Sequence, residues 1–575
     1  MFKLFLPYLR KFRKELRGAF VCLILEDVVE LLIPMALADI MDNGIAAGNS
    51  RRVLSGCGIM LVLALIALLF GRTYAKLIAR GGQGFAAELR RAEFARVQRF
   101  SFLNMDHFQV SGLITRLTGD VQIIQNMITG GIRPATRGIL SITVAMIFSF
   151  ILDARLAMIF LVMLPILGTG LFLIIKTTIP LFPKQQAGID RLNLIIQENL
   201  TAIQIVKAFH REDYEEAKFL AAASEQRQIA EKSNRITVLN IPVMQFGVYT
   251  TICGMLLYGG HLYIQGLTTI GALTAILTYL RQVLNSMMMV SNVFLLITRS
   301  TASMARVAEV LTEEPEITDE NARDIRISRG DIRFEHVSFK YEKNAPEFVL
   351  SDIDLHFLPG QTVGIIGGTG SAKSSIIQLI PRLYEATEGQ ILIDGEPVSS
   401  YPLSHLRDAV GVVLQKNTLF SGTIAENLRW GSGDASIEEL RAACRDAAAD
   451  DFICSFPDGY ETVLGPQGAG LSSGQKQRVC IARALLKHPK ILILDDSTSA
   501  VDVATESKIQ ENLREHYPDM TKIIIAQRIT SIMHADQIVI IDDGRVNAVG
   551  THETLLSENR IYQEIYHSQL EGALL

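Results

Sequence analysis

Residues 363–375 read VGIIGGTGSAKSS. The apolar run Val363–Ile366 meets a glycine turn, then Lys373 and Ser374, and IIQLIPRLY continues with a spacing a helix can hold. The pattern is close to the phosphate-binding loop G-x-x-x-x-G-K-[ST]. Small residues let consecutive backbone N–H groups curl around phosphate oxygens, and the following helix start adds its positive dipole end. Gly367, Gly368, Thr369, Gly370, Ser371 and Ala372 would form the cradle. Lys373 would supply a point charge for the outer phosphates, the Ser374 hydroxyl a ligand for Mg²⁺, and Ser375 the next helical residue. One position departs from the pattern: Ala372 stands where the motif has glycine. A plain glycine turn between strand and helix would explain the loop without its Lys–Ser pair.

Working outward, the 575 residues exceed one domain. Hydrophobic residues make up 49% of the chain, and its mean hydropathy of +0.26 is high for a soluble protein. The net charge of −5 carries no basic field of the kind that binds nucleic acid, so no nucleic-acid partner is expected. The six cysteines are scattered without a CxxC pair and read as packing residues of a reducing compartment. The basic N-terminus precedes an apolar run with no cleavage site after it, so no signal peptide is expected.

The apolar residues crowd into the first half. Residues 1–17, FKLFLPYLRKFRKELR after the initial Met, interleave aromatics and leucines with six cations. That is the composition of a helix lying on an anionic membrane face, and it predicts a cytoplasmic N-terminus. Six apolar segments follow, at 18–42, 53–79, 135–152, 155–176, 236–262 and 268–298. Around twenty apolar residues cross a bilayer, so each can span once and the chain returns to the cytoplasm. Short links join segments one–two, three–four and five–six. Long, charged, helix-periodic stretches separate the others and predict helices that continue into the cytoplasm. The external link NGIAAGNSRR carries Arg51 and Arg52, locally against the positive-inside rule.

Glu26, Asp27 and Glu30 lie within segment one. Carboxylates there are costly, so they are candidates for a substrate or proton role; solvation in a water-filled cavity is the alternative. Met287, Met288 and Met289 could line an adaptable pocket or simply pack.

Near 312–330 the apolar runs end in the charged stretch EEPEITDENARDIRISRGD. Residues 331–575 then read as one α/β nucleotide-binding domain. Tyr341 precedes the phosphate-loop strand and could stack on an adenine ring. Gln415 follows an apolar strand. LSSGQ (471–475) opens a helical run, and ILIL leads into Asp495, an acid at the end of a buried strand placed to hold Mg²⁺. KIIIAQR ends another buried strand at Gln527.

This order of phosphate loop, LSSGQ and strand-end acid, behind six apolar segments, resembles an ATP-binding cassette (ABC) transporter half-unit of the exporter type over essentially the whole chain. The resemblance implies an α-helical transmembrane domain followed by an α/β P-loop domain with an antiparallel β subdomain, in a multi-pass protein of the cytoplasmic membrane with both termini inside. It implies two half-units with ATP between the phosphate loop of one and the signature of the other. Tyr341 then stacks the adenine, and Lys373 and Ser374 hold phosphates and Mg²⁺. Gln415 is the Q-loop residue and a metal neighbour with Ser374 and Asp495. Ser472, Gly474 and Gln475 reach the partner's ATP, and Asp502 matches the D-loop. Stretches 111–121 and 197–209 resemble the coupling helices that press on the two cassettes.

Two catalytic positions depart from the family. Asp496 stands where the family has Glu, the general base that orients water. One methylene less leaves the carboxylate more than about 1 Å from the working position, and a displacement of that size can cost on the order of 100-fold in rate. Gln527 stands where the family has His, and a carboxamide cannot carry a proton or positive charge near neutral pH. A site that binds ATP and hydrolyses it poorly is the economical expectation. It points to a heterodimer in which this chain lends an intact signature to the partner's competent site, with export of a drug-like, lipid or peptide amphipath. A nucleotide-gated regulatory subunit is the rival.

Overall fold

The computed structural model describes residues 2–574 apart from 179, 343–344, 369 and 497–500. The chain divides into two compact units, 1–98 with 110–313, and 99–109 with 314–575.

The first unit is helical. α1 (Phe2–Lys11) ends where Phe12 leaves helical geometry at φ −107°, ψ 21°, so Arg13–Arg17 already belong to α2 (Arg13–Asp39) and the surface helix is shorter than 1–17. α3 (Ser50–Val97) follows a π-helical turn, Ile40–Ile45, and is capped by the Asn49 side chain, which accepts from the Arg52 N–H at 3.1 Å. Arg52 pairs with Asp39 at 3.2 Å, which offsets one of the two cations the link carries. α4 (Ile132–Leu152), α5 (Ala154–Thr178), α6 (Leu181–Thr201), α7 (Glu212–Val238), α8 (Asn240–Ile264) and α9 (Ile270–Thr312) are the unit's other long helices. Among the described residues four helical rods are long and apolar enough to cross a membrane: Ser50–Val97, Val110–Leu152, Ala154–Thr201 and Glu212–Ile264. Along α3, Leu54, Leu61, Leu65, Leu68 and Leu69 are exposed, as a lipid-facing stripe requires. α2 owes its lower apolarity to Glu26, Asp27 and Glu30.

The second unit holds two main sheets. The first pairs β1 (Ile332–Phe339), β2 (Leu350–Phe357), β4 (Glu388–Ile393) and β5 (Glu396–Pro397) antiparallel in the order β2-β1-β4-β5. The second has the order β10-β9-β3-β8-β7-β6, from β3 (Thr362–Ile366), β6 (Val410–Val413), β7 (Ile491–Asp495), β8 (Thr521–Ile525), β9 (Gln537–Asp542) and β10 (Arg545–Gly550). All its pairings are parallel except β9 with β10. Every residue of β7 and of β8 is buried, because a parallel strand is covered on both faces and reads as a continuous apolar run.

One stretch departs from the linear reading of domains. The short helix Phe102–His107 belongs to the second unit. Ser101 and Asn104 form its capping box. Asn104 is buried and donates to the Glu314 carbonyl at 3.2 Å, and Asp106 accepts from the Tyr384 hydroxyl at 2.7 Å. The expected coupling piece at 111–121 lies instead within the first unit. There Arg116 pairs with Glu309 at 2.6 Å and Asp120 with Arg306 of α9. Those matched charges commit 111–121 to α9, whereas the Ser101–Asn104 cap and Asp106 commit the preceding turn to the second unit.

Candidate functional site

The site is assembled at the carboxyl edge of the parallel strands, where open α/β sheets bind ligands. The register sets Ile525 opposite both Ile365 and Asp495, so β3, β8 and β7 end together. Just beyond them come the phosphate loop, Gln527 and Asp496.

Residues 367–372 leave β3 and deliver Lys373 and Ser374 at the start of α10 (Lys373–Leu379). Gly367 is obligatory: a Cβ there would meet the Ile541 carbonyl oxygen at 2.1 Å. Gly370 has φ +84°. Ala372 adopts the left-handed region at φ 68°, ψ 22°, a conformation that costs a non-glycine residue about 1 kcal/mol. The missing motif glycine is therefore felt first as backbone strain. Ser371 donates to the Gly368 carbonyl at 2.8 Å and is itself buried, as is Ser375. Thr369 lies outside the described residues.

Lys373 Nζ donates to the carbonyls of Gly367 (2.9 Å) and Gly368 (2.7 Å). Burial holds its amine below the ordinary lysine value, against the pull of Asp495 and Asp496. Ser374 Oγ donates to Asp495 Oδ1 at 3.0 Å. Burial raises Asp495 above the usual carboxylate range, against that hydrogen bond. A hydroxyl and a carboxylate oxygen set together on two elements form the hard oxygen pair that suits Mg²⁺, so the residues fit the ion.

Asp496 is buried and sits at φ +47°. Its Oδ2 accepts from Gln527 Nε2 at 2.6 Å and, at a weak 3.4 Å, from Gln415 Nε2. Burial raises this carboxyl, and the Gln415 and Gln527 bonds oppose that rise. The three residues that the sequence separates by 112 positions thus meet at one oxygen. Gln415 lies against Asp496, whereas Ser374 is bonded to Asp495. Gln527 is braced in turn: Gln569 Nε2 donates to its carbonyl at 2.7 Å, and Gln569 Oε1 accepts from the Ile529 N–H at 2.9 Å. Nothing in the sequence marked Gln569, because an isolated glutamine near a chain end has no motif.

Tyr341 lies beside the loop's helix. Its hydroxyl meets Ser375 Oγ at 2.9 Å and donates to Gln378 at 3.3 Å, and its ring is edge-on to Tyr384 and Phe339. The 471–475 stretch is placed elsewhere. Ser472 caps the helix α11 (Ser473–Leu485): its side chain accepts from the Gln475 N–H at 3.3 Å, and Gln475 Oε1 accepts from the Ser472 N–H at 2.9 Å. Ser472 and Gln475 satisfy each other instead of the chain's own phosphate loop, and Gly474 is half-buried beside them. Asp502 is likewise a helix cap, accepting from the Thr505 N–H at 2.9 Å.

In the first unit the three carboxylates of α2 face arginines of α4. Asp27 is fully buried, accepts from Ser141 Oγ at 2.7 Å and pairs with Arg137 at 3.2 Å. Arg137 also bonds Glu30, and Arg133 bonds Glu26. Each acid therefore has an arginine partner, while Glu30 stays part-exposed and the second Glu26 carboxylate oxygen, Oε2, is buried without a hydrogen bond. Of the methionines, Met287 is buried in the core while Met289 is exposed.

A helical membrane unit joined to a parallel-sheet unit with a phosphate loop, strand-end acids and a separately capped signature helix defines a nucleotide-powered transporter. The family model of the ABC transporter transmembrane region matches residues 16–287, and that of the ABC transporter matches 350–499. A Bacillus subtilis relative described as the uncharacterized ABC transporter ATP-binding protein YfiB is 37% identical, over 96% of this chain and 96% of its own. An ATP-dependent lipid A-core flippase of Syntrophus aciditrophicus is 30% identical, over 99% and 95%. The solved structure of a bacterial Atm1-family ABC exporter with ATP bound superposes with a TM-score of 0.82 at 27% identity, covering 97% of this chain and 98% of that one. The chain belongs to the ABC transporters, as a membrane-embedded half-transporter of the exporter type with the ATP-binding domain of that ATPase family.

Proposed function

We propose that this chain is one half of a heterodimeric exporter and that its own phosphate loop holds MgATP more than it hydrolyses it. The observation that carries the reading is the Asp496 carboxylate, one methylene short and engaged by Gln527 Nε2 at 2.6 Å. A base occupied by a neutral amide is poorly placed to orient water. Lys373 would meet the outer phosphates, Ser374 and Asp495 would hold Mg²⁺ with Gln415 nearby, and Tyr341 would swing from Ser375 to stack the adenine. Mg²⁺, when bound, neutralises phosphate charge; the chain's residues position the nucleotide around it. Ser472, Gly474 and Gln475, at an exposed helix start, would face the partner's ATP, where the completed hydrolytic step resets the dimer.

Six membrane crossings with cytoplasmic termini, in the cytoplasmic membrane, fit this assembly. The turn around Ile203–Ala208 exposes Leu200, Ile205 and Phe209, which suits a contact with the partner's cassette. The transported species is a hydrophobic or amphipathic molecule. Similarity to a lipid A-core flippase favours a lipid-like one. Substrate affinity must differ between the inward and outward states for ATP to drive movement.

The test is to purify the chain alone and with its neighbour-encoded half-transporter and to follow phosphate release. Hydrolysis that needs the partner is expected. Brisk turnover by the isolated chain, or a partner that also lacks the Glu, overturns the heterodimer. ATP-dependent concentration of a fluorescent amphipath in inverted vesicles separates transport from nucleotide-gated regulation, since a channel concentrates nothing.

A further inference from the structure

Gln569 belongs to α12 (Arg560–Leu574). Two helical turns before it, Tyr562 is fully buried and its hydroxyl meets His552 Nδ1 at 2.7 Å. The Tyr562 N–H donates to Asn559 Oδ1 at 2.9 Å. Ile561, Ile565 and Tyr566 pack on the same core that holds Ile529 and Ile532. Residues four and seven positions beyond Tyr562 return to its face of the helix. The helix is therefore a fixed base, and Gln569 extends from it toward the segment after β8.

That segment carries Gln527. Its carbonyl lies between the end of β8 and the 3-10 turn Ile529–Ser531, and the Ile529 N–H is at the start of that turn. The Gln569 amide uses both its ends on them, at 2.7 and 2.9 Å. A two-point hold fixes rotation as well as distance, which one hydrogen bond does not. The held residue is the one whose side chain lies 2.6 Å from Asp496.

We propose that Gln569 is a positioning residue of the nucleotide site, setting where the Gln527 carboxamide meets the terminal phosphate. It rests on the proposed reading that this phosphate loop binds ATP; Gln527, beside Asp496 at the strand-end edge, would then face the outermost phosphate. Gln569 touches no substrate. Its effect is selective: contacts to the α- and β-phosphates come from 367–374 and are independent of α12. Loss of the hold therefore weakens ATP and leaves ADP alone.

The experiment uses the full-length chain in nanodiscs, with ATP and ADP competing against a fluorescent nucleotide. Gln569→Ala removes both bonds. Gln569→Glu keeps the acceptor for Ile529 and loses the donor to Gln527. Gln563→Ala is the control, because Gln563 lies on the same helix but donates to the Leu556 carbonyl at 2.8 Å. The wild type should bind ATP more tightly than ADP. The ATP-over-ADP preference should fall on the order of fivefold in Gln569→Ala, the worth of one hydrogen bond, with ADP affinity unchanged. Gln569→Glu should fall partway and Gln563→Ala should match the wild type. An unchanged ratio in both Gln569 variants overturns the proposal, as does an equal fall in Gln563→Ala, which would mean general loosening of the helix. A wild type that does not prefer ATP, or that binds it as well after Lys373→Ala, removes the parent reading and this inference with it, and is recognised without any Gln569 variant.

Discussion

Asp496→Glu is the most direct probe of the site. The added methylene extends the carboxylate by about 1.5 Å, one carbon–carbon bond. A reacting group misplaced by about 1 Å can cost about 100-fold, so that factor is the most the change can return. The structure sets what is given back. Asp496 Oδ2 now accepts from Gln527 at 2.6 Å and barely from Gln415 at 3.4 Å, so the longer side chain must carry the Gln527 amide with it or release it. Losing one such bond is worth about 1 kcal/mol, or about fivefold. The single variant should therefore gain about 20-fold in phosphate release. Adding Gln527→His, which no longer occupies the base with a neutral amide, should bring the gain to about 100-fold. The assay is steady-state phosphate release by the chain with the proposed partner half-transporter, that subunit's own base replaced by Gln so that only this site can turn over. If the double variant binds ATP with wild-type affinity and gains nothing, the short, occupied carboxylate is not what limits this site.

Three other outcomes follow from the same geometry. Ala372→Gly relieves left-handed strain of about 1 kcal/mol but frees the unfolded chain by about 0.7 kcal/mol, so the melting temperature should move by less than about 2 °C while ATP affinity rises; thermal unfolding and nucleotide titration check both. Tyr384→Phe deletes the 2.7 Å hydrogen bond to Asp106, a bond to a charged group worth about 2 kcal/mol, and should both lower stability and speed proteolysis within 99–109. Asp394 accepts from the N–H groups of Ser328, Arg329, Gly330 and Asp331 at 2.7 to 3.0 Å. Burial opposes ionisation there, but the Arg329 and Ser328 bonds, with Asp331, hold the carboxyl below its ordinary value of 3.8. Its contribution is present above that value and is lost as pH falls through the lower, folded one. Asp394→Asn should be less stable at pH 7 and should lack that acid-induced loss, read from the fluorescence of Trp430, the chain's single tryptophan.

The division of labour between sequence and tertiary structure follows the range of the forces involved. VGII, ILIL and KIII announced buried parallel strands, because strands covered on both faces have no polar alternation to hide. GGTGSAKSS announced its loop, since glycines and a Lys–Ser pair at that spacing have few other uses. SSGQ announced a helix start, because Ser472 and Gln475 cap one another within four residues. Apolar segments two to five announced helices long and apolar enough to cross a membrane, whereas segments one and six fall in α2 and α9, outside that set among the described residues. All of these are local, set by neighbours along the chain.

Tertiary structure decided what depends on distant partners. The carboxylates of α2 read as solvated or functional, and α4 supplies Arg133 and Arg137 across more than a hundred residues. The stretch that joins the second unit is Phe102–His107 instead of 111–121, because Tyr384 and Glu314 bind the first while Arg306 and Glu309 bind the second. Ala372 read as an extra methyl, and the fold adds a left-handed backbone. The sequence showed that Asp496 and Gln527 were each altered. Only the parallel register of β7 and β8 brings one against the other, and Gln569 of α12 holds Gln527 there through its carbonyl.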